Sequence, residues 1–240
     1  MTARNLTLIA AFSALALPSA FANHIDFLFD GGFSISADST GIATVTAAQA
    51  GAAGNILGSE RNVSLTADLG TMTATLPAPM GAGLVAPNTA TANSSILGVT
   101  SNVEGLGTLD LLYNGVGAAG LAGSDFDTMW DFIGINLPSV TGTLDVRVNV
   151  TDSLGQMGQV ARGGLTTGGN YFFSFTDPAF ANAGVNFSSV DAVSVHFETV
   201  IPGTAFEVGS ITREAIPEPT SALLAGFGAL GLMLRRRRNE

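Results

Sequence analysis

Thr143-Leu144-Asp145-Val146-Arg147-Val148-Asn149-Val150 is the clearest structural signal in the chain. Apolar and polar residues alternate along it without a break. A period of two residues is typical of a β-strand that has one face on a hydrophobic core and one face in water. The segment therefore predicts a half-buried β-strand.

Similar segments lie on both sides of this strand. Residues 193–197 alternate in the same way, with Ser194, His196 and Glu198 on the polar side. Eight further candidate strands are 25–29, 42–46, 63–68, 71–76, 108–113, 130–137, 171–176 and 206–211. Short strands separated by Gly, Asn, Ser and Pro, without a strong helical run, predict an all-β fold, an antiparallel β-sandwich or jelly-roll-like domain.

Two stretches interrupt this pattern. Residues 47–58 and 77–87 are rich in Ala, Gly or Pro, which supply neither periodicity nor strand propensity. We expect them to be long loops or an excursion from the sheet.

The composition excludes several classes of function. The 240 residues have a formal net charge of −10, two histidines, no cysteine, and nine basic residues that are all arginine. Without cysteine there are no disulfides, thiol nucleophiles or zinc–thiolate sites. The acidic balance argues against a nucleic-acid partner, because binding phosphates requires cations.

A group of aspartates is the one candidate metal site. Asp125, Asp127 and Asp131 surround Phe126 and Trp130. Carboxylate oxygens at this density are suited to calcium, although their spacing does not match an EF-hand loop. The alternatives are a calcium site and a solvated acidic loop. No other cofactor is expected.

Three aromatic residues are candidates for carbohydrate binding. Trp130, Tyr171 and Phe172 offer rings that could stack on sugars, and Phe172 lies on the opposite strand face from Tyr171. Such residues also serve as ordinary core or edge packing. A lectin-like module that binds carbohydrate or calcium is therefore the first alternative function.

The sequence carries no recognisable catalytic motif. It has no G-x-S-x-G elbow, and His196 falls on the polar side of a predicted strand, where a surface histidine is the simpler interpretation. Two carboxylates that converge in space would leave no trace in the sequence, so a secreted hydrolase is the second alternative. We expect the protein not to be an enzyme.

The first 22 residues have the pattern of a secretory signal peptide. Arg4 supplies the positive charge, residues 6–17 an apolar core, and Ala20 and Ala22 the small residues of a cleavage site. We predict export by the Sec machinery and a mature chain that begins at Asn23.

The C-terminal residues 217–240 form a second addressing segment. Pro217, Glu218 and Pro219 precede an apolar stretch at about 220–234, which predicts a short transmembrane helix. Four basic residues follow it: Arg235, Arg236, Arg237 and Arg238. These arginines predict a cytoplasmic C-terminus, with the preceding domain outside the inner membrane.

Residues 23–216 remain as one β-sandwich domain. This part contains seventeen acidic residues and four arginines, which gives it a net charge of −13. The domain that would be exported is therefore more acidic than the whole chain.

The Pro-Glu-Pro sequence, the short apolar helix and the arginine cluster together resemble the PEP-CTERM sorting signal of exported bacterial proteins. The resemblance covers residues 216–240. It implies that exosortase, a membrane protease-transpeptidase, recognises Pro217, Glu218 and Pro219, and that the arginines act as the stop-transfer element. It also implies an inner-membrane-anchored precursor that is delivered to the cell surface or to an extracellular matrix associated with exopolysaccharide. On this basis we expect a non-enzymatic exported surface or matrix protein.

Overall fold

A computed structural model describes residues 23–26, 28, 33–51, 56–76, 96–126 and 130–215. The strands are β1 (Asn23–Asp26), β2 (Phe33–Asp38), β3 (Thr44–Ala50), β4 (Glu60–Leu69), β5 (Thr71–Leu76), β6 (Leu97–Ser101), β7 (Leu106–Tyr113), β8 (Phe132–Leu137), β9 (Val140–Thr141), β10 (Leu144–Asp152), β11 (Met157–Leu165), β12 (Gly169–Ser174), β13 (Val190–Thr199), β14 (Ala205–Val208) and β15 (Ser210–Glu214). Among these described residues the α-helical element is α1 (Pro178–Ala183), and three short 3-10 helices lie at Leu57–Ser59, Val116–Ala118 and Phe187–Ser189.

All strand pairs are antiparallel, and the strands form three sheets. Their orders are β11-β10-β13-β7-β4-β3 in the six-stranded sheet, β1-β15-β8-β12 in the four-stranded sheet, and β2-β5-β6-β14-β9 in the five-stranded sheet. The predicted all-β antiparallel sandwich is confirmed.

The six-stranded sheet forms one layer, and the two smaller sheets together form the other. Phe197 of β13 stacks on Phe206 of β14 across the layers, with ring centroids 5.3 Å apart. The chain passes from the five- to the four-stranded sheet at Gly209, between β14 and β15. The inward side chains of all three sheets share one hydrophobic core.

The strand with the strictest alternation lies inside the six-stranded sheet. β10 pairs with β11 on one side and with β13 on the other. Its apolar residues Leu144, Val146, Val148 and Val150 are fully buried, whereas Asp145, Arg147 and Asn149 are half-buried on the outer face. The alternation of the sequence is thus the alternation of the two sheet faces.

Three predictions about local structure are wrong. Residues 47–58 are not a single loop, because β3 continues to Ala50 through the pairs Ala47–Val63 and Gln49–Arg61. Residues 206–211 are not one strand but the ends of two, in different sheets. The helix α1 was not expected; Asp177 caps its start by accepting a hydrogen bond from the Ala179 backbone N–H, and Gly184 ends it.

The addressing segments lie outside the described residues. These are the signal peptide 1–22 with Ala20 and Ala22, the motif Pro217-Glu218-Pro219, the apolar segment 220–234, and the arginines 235–238. The predicted loop at 77–87 and Asp127 also lie there. Within the described part of the chain, no helix is long and apolar enough to cross a membrane.

Candidate functional site

The outer surface of the four-stranded sheet combines aromatic and polar side chains, and we call it the aromatic face. Ile133, Ile135 and Phe173 point into the core, so the residues between them point outward. The outward residues are Phe132, Gly134 and Asn136 on β8, Asn170, Phe172 and Ser174 on β12, and Ser210, Thr212 and Glu214 on β15.

Strand register arranges these residues in three rows. Glu214, Phe132 and Ser174 form one row. Thr212, Gly134 and Phe172 form the second, and Ser210, Asn136 and Asn170 form the third. β8 thus supplies the middle of each row, with an aromatic ring, a glycine and an amide in succession.

Two phenylalanine rings form the apolar part of the aromatic face. The rings of Phe132 and Phe172 meet edge to face, with centroids 6.1 Å apart. Phe172 is 42% exposed, which is unusual for a side chain of this size. A ring surface therefore remains open to solvent beside the other rows.

Gly134 provides space for a carboxylate at the centre of this face. A Cβ atom added to Gly134 would lie 2.7 Å from Oε1 of Glu214 and 2.8 Å from Oγ1 of Thr212. The Thr212 hydroxyl donates to Glu214 Oε1 at 2.8 Å. The missing side chain thus allows the Glu214 carboxylate to lie close to the sheet.

Amide and guanidinium groups border the rings. Asn136 Nδ2 donates to Asn170 Oδ1 at 2.7 Å. Arg162 Nη2 donates to the carbonyl oxygen of Phe172 at 3.3 Å. The aromatic face therefore offers an exposed ring together with hydrogen-bond donors and acceptors.

Of the three aromatic residues predicted to bind sugars, only Phe172 is clearly exposed. Trp130 is partly buried against the core, and its ring centroid lies 5.7 Å from Cζ of Arg213. The Tyr171 hydroxyl donates to the Thr167 carbonyl at 2.6 Å, which engages its polar end. Burial lowers the pKa of Arg213, whose guanidinium also lies over Phe126 at 4.5 Å.

Two of the three predicted calcium ligands lie among the described residues. The Asp125 carbonyl accepts a hydrogen bond from Arg213 Nη1 at 3.2 Å, and the Asp131 backbone N–H donates to Glu214 O at 2.8 Å. No group of three or more His, Asp or Glu side chains with metal-binding geometry occurs in the described ranges. Because Asp127 lies outside them, calcium binding stays a prediction, which melting temperatures in calcium and in chelator would test.

His196 belongs to a charged cluster on the outer face of the six-stranded sheet. Its Nδ1 lies 2.6 Å from Oδ1 of Asp110, and its Nε2 lies 3.8 Å from Oε2 of Glu198. Arg147 donates to the same Glu198 carboxylate. The sequence placed His196 on the polar face but gave no sign of the other members, because three different strands bring them together.

The final strand leads directly to the predicted sorting segment. β15 ends at Glu214, between β1 on one side and β8 on the other. Residues 215–238 match the family described as PEP-CTERM protein-sorting motif. The match therefore begins at the residue that follows β15. No curated protein matches the sequence.

Several solved structures share a distant similarity with the chain. PfGH50B has a TM-score of 0.38 and 12% identity, covering 52% of this chain and 21% of that protein, so the chain spans about a fifth of its length. The family 11 carbohydrate-binding module of the cellulase Lic26A-Cel5E of Clostridium thermocellum has a TM-score of 0.37 and 10% identity, covering 82% of this chain and 96% of the module. The solution structure of CtCBM11 has a TM-score of 0.39 and 14% identity, covering 84% and 100%.

At this level of similarity, none of the solved structures assigns a function. The match at residues 215–238 coincides with the segment recognised from Pro217, Glu218 and Pro219. That recognition is confirmed: the chain carries a PEP-CTERM protein-sorting motif directly after the last strand of its β-sandwich.

Proposed function

We propose that this protein is a non-enzymatic component of the cell surface or extracellular matrix. In this proposal Sec exports the chain, the C-terminal segment anchors the precursor in the inner membrane, and exosortase acts at Pro217-Glu218-Pro219. The sorting motif implies an exported precursor that is sorted to the cell surface. In this proposal the acidic β-sandwich domain is the part delivered to the surface or matrix, and exopolysaccharide is a candidate partner.

The position of the motif relative to the fold carries this proposal. The motif begins at residue 215, immediately after β15 ends. Removal of the motif would leave in place every strand that the structure describes, including β15 with the fully buried Ile211. A tail that is separable from the core is what delivery of an intact domain requires.

The charged cluster around His196 supports the non-enzymatic part of the proposal. Its four side chains contact one another, with Asp110 on the imidazole and Arg147 on Glu198. All four lie on an outer sheet face, where water screens the charges of Asp110, Arg147 and Glu198. Such mutual pairing is typical of a solvated polar surface.

The sorting proposal is tested in a host with exosortase and in the same host without it. We expect C-terminal processing of the wild-type chain only when exosortase is present, and we expect Glu218→Gln to abolish or strongly reduce it. Glu104→Gln is the matched control, because this exposed glutamate lies in a turn of the β domain. Mass spectrometry of the chain termini and cell fractionation provide the measurements. Processing that is indifferent to both Glu218 and exosortase would contradict the proposal.

A second candidate function is carbohydrate binding through the aromatic face. The observation that favours it is the exposed ring of Phe172 beside the amides of Asn136 and Asn170. One side of a sugar ring presents C–H groups that pack on an aromatic surface, while its hydroxyls need donors and acceptors. The three adjacent rows of the aromatic face contain both an exposed aromatic ring and hydrogen-bond donors and acceptors.

This second candidate is tested on glycan arrays with the exported protein. We expect Phe172→Ala to lower the affinity for any bound glycan by about tenfold or more, as is common when a central aromatic contact is truncated. Val116→Ala is the control, because this residue is 61% exposed and lies in another part of the sandwich. Glycan binding that is equal in the two variants would exclude the aromatic face as the binding site.

A further inference from the structure

Exposed aliphatic side chains gather at one end of the sandwich, where turns connect the six-stranded and five-stranded sheets. We call this end the turn cap; it comprises residues 38–43, 68–71, 102–105 and 200–204. Its aliphatic residues are Ile42 (66% exposed), Leu69 (48%), Val103 (87%), Val200 (47%) and Ile201 (44%). Isolated exposed apolar residues are ordinary, but a cluster of this kind is typical of an interaction site.

Hydrogen bonds between the turns hold the cap together. The Ser39 N–H donates to Gly70 O at 2.9 Å, the Asn102 N–H to Thr71 O at 3.0 Å, and the Gly203 N–H to Gly105 O at 3.3 Å. Four turns that are distant in sequence are thus joined into one surface. A surface that is ordered before binding loses little conformational entropy when a partner docks.

Glycines allow the turns to approach this closely. A Cβ atom on Gly70, which has a φ of +64°, would lie 2.4 Å from Asn102 Oδ1 and 2.9 Å from the Gly105 nitrogen. Gly105 would clash in the same way, with its Cβ 2.8 Å from Thr71 O. The glycines at these positions therefore let the turns that carry the aliphatic residues pack closely together.

The charges of the cap are all negative. Asp38, Asp68 and Glu104 lie within its four turns, which contain no Arg, Lys or His. A second copy docked cap to cap would bring these carboxylates together without a cation. An anionic lipid surface would repel them in the same way. Because the cap has no aromatic side chain, it also lacks a stacking surface for sugars.

We propose that the turn cap is a docking surface for a partner polypeptide whose contact segment combines aliphatic side chains with Arg or Lys. The aliphatic residues of the cap supply the apolar contact. The surrounding carboxylates supply the charge complementarity that selects a basic partner.

The direction in which the cap faces follows from the path of the last two strands. β14 begins at Ala205, directly after a cap turn, and β15 ends at Glu214, at the opposite end of the sandwich. The sorting motif follows there. In a membrane-anchored precursor the cap would therefore point away from the membrane; this orientation rests on the proposed sorting, whereas the chemistry of the cap does not.

The test uses two synthetic amphipathic peptides of equal length, one built from Leu and Lys and the other from Leu and Glu. Binding to the exported protein is measured by fluorescence anisotropy at physiological salt. We expect the Leu/Lys peptide to bind and the Leu/Glu peptide to bind at least about tenfold more weakly. The double variant V103S/I201S should weaken Leu/Lys binding by about tenfold or more.

Two further variants separate the cap from general electrostatic attraction. V116S/L154S removes two apolar residues that are 61% and 77% exposed outside the cap, and it should leave binding unchanged. D68N/E104Q keeps the aliphatic residues and should weaken Leu/Lys binding. Thermal melts verify that all variants are folded.

Three results would overturn this proposal. The first is Leu/Lys binding that is equal in V103S/I201S and V116S/L154S. The second is a dimer in sedimentation velocity that V103S/I201S dissociates, which would make a second copy the occupant. The third is binding to phosphatidylglycerol vesicles that depends on Val103 and Ile201. Termini read by mass spectrometry on the same samples report separately on sorting, so failure of the cap and failure of the sorting proposal are distinguishable.

Discussion

At the scale of single residues, the most consequential group is the buried cluster around Asp26. Arg61 and Asp26 form an ion pair in which both side chains are fully buried. Tyr113 donates to Asp26 Oδ2 at 2.8 Å, and the Leu28 backbone N–H donates to Oδ1 at 2.7 Å. Burial and the neighbouring Asp26 carboxylate raise the pKa of the Tyr113 hydroxyl well above 10, so this group remains a donor.

We predict that Asp26→Asn destabilises the fold by about 3–5 kcal/mol, because it leaves the buried Arg61 guanidinium without a compensating charge. Arg147→Gln is the matched control. It breaks an ion pair whose side chains are 38% and 40% exposed, and such exposed pairs contribute only about 0–1 kcal/mol. Urea unfolding measures both variants, and a similar small effect of the two substitutions would contradict the prediction.

At the scale of elements, the sequence indicated the strands that cross the middle of the six-stranded sheet. β10 and β13 alternate strictly because one of their faces is entirely core. β2, β6, β9 and β11 were missed. β11 lies at a sheet edge, where its glycines and exposed residues weaken the alternation, and β9 has only two residues.

The candidate site, too, could be predicted from the sequence only in part. Phe172 could be identified because it places an aromatic ring on the otherwise polar face of its own strand. Glu214, Gly134 and Asn170 could not be associated with it, since β8, β12 and β15 come together only through long-range pairing. A pattern within one strand reports which face a residue occupies, but not which residues are its neighbours on the next strand.

Two glycines near the starts of their strands, Gly107 on β7 and Gly98 on β6, differ in the space that surrounds them. A Cβ atom on Gly107 of β7 would lie 2.0 Å from Thr66 O and 2.5 Å from Sδ of Met72, so Gly107→Ala forces the backbone apart. We expect it to cost about 1–3 kcal/mol, as overpacking usually does. Gly98→Ala on β6 is the control, because its nearest atom is 3.9 Å away.

We expect Gly98→Ala to change the stability by no more than about 0.5 kcal/mol. Thermal or urea unfolding of both variants provides the comparison. Equal stabilities would show that β7 and β4 can separate without loss, contrary to the packing described above.

At the scale of the whole molecule, the boundary between fold and sorting tail lies between Glu214 and the motif. We predict that a chain ending at residue 215 keeps the melting temperature of the longer protein. A chain ending at Gly209 should lose cooperative unfolding, because it lacks the buried Ile211 and leaves β1 and β8 unpaired on one side. Circular dichroism melts test both chains. A stable, cooperatively unfolding chain that ends at Gly209 would show that the fold does not need β15 and would contradict this boundary.

The pairing of β1 with β15 also sets the order in which the domain can be completed. Asn23 lies opposite Arg213, so the first strand, which otherwise makes a single bridge from Asp26 to Ile56, gains its ladder partner only when the last strand is available. Contacts between residues so distant in sequence form slowly, because the long loop must close before they contribute. On the export route proposed above, the two ends of the chain cross the membrane at different times, and the four-stranded sheet cannot close before residue 214 has crossed. The sorting tail is the next segment to arrive, so the membrane would hold the chain while its first and last strands find each other.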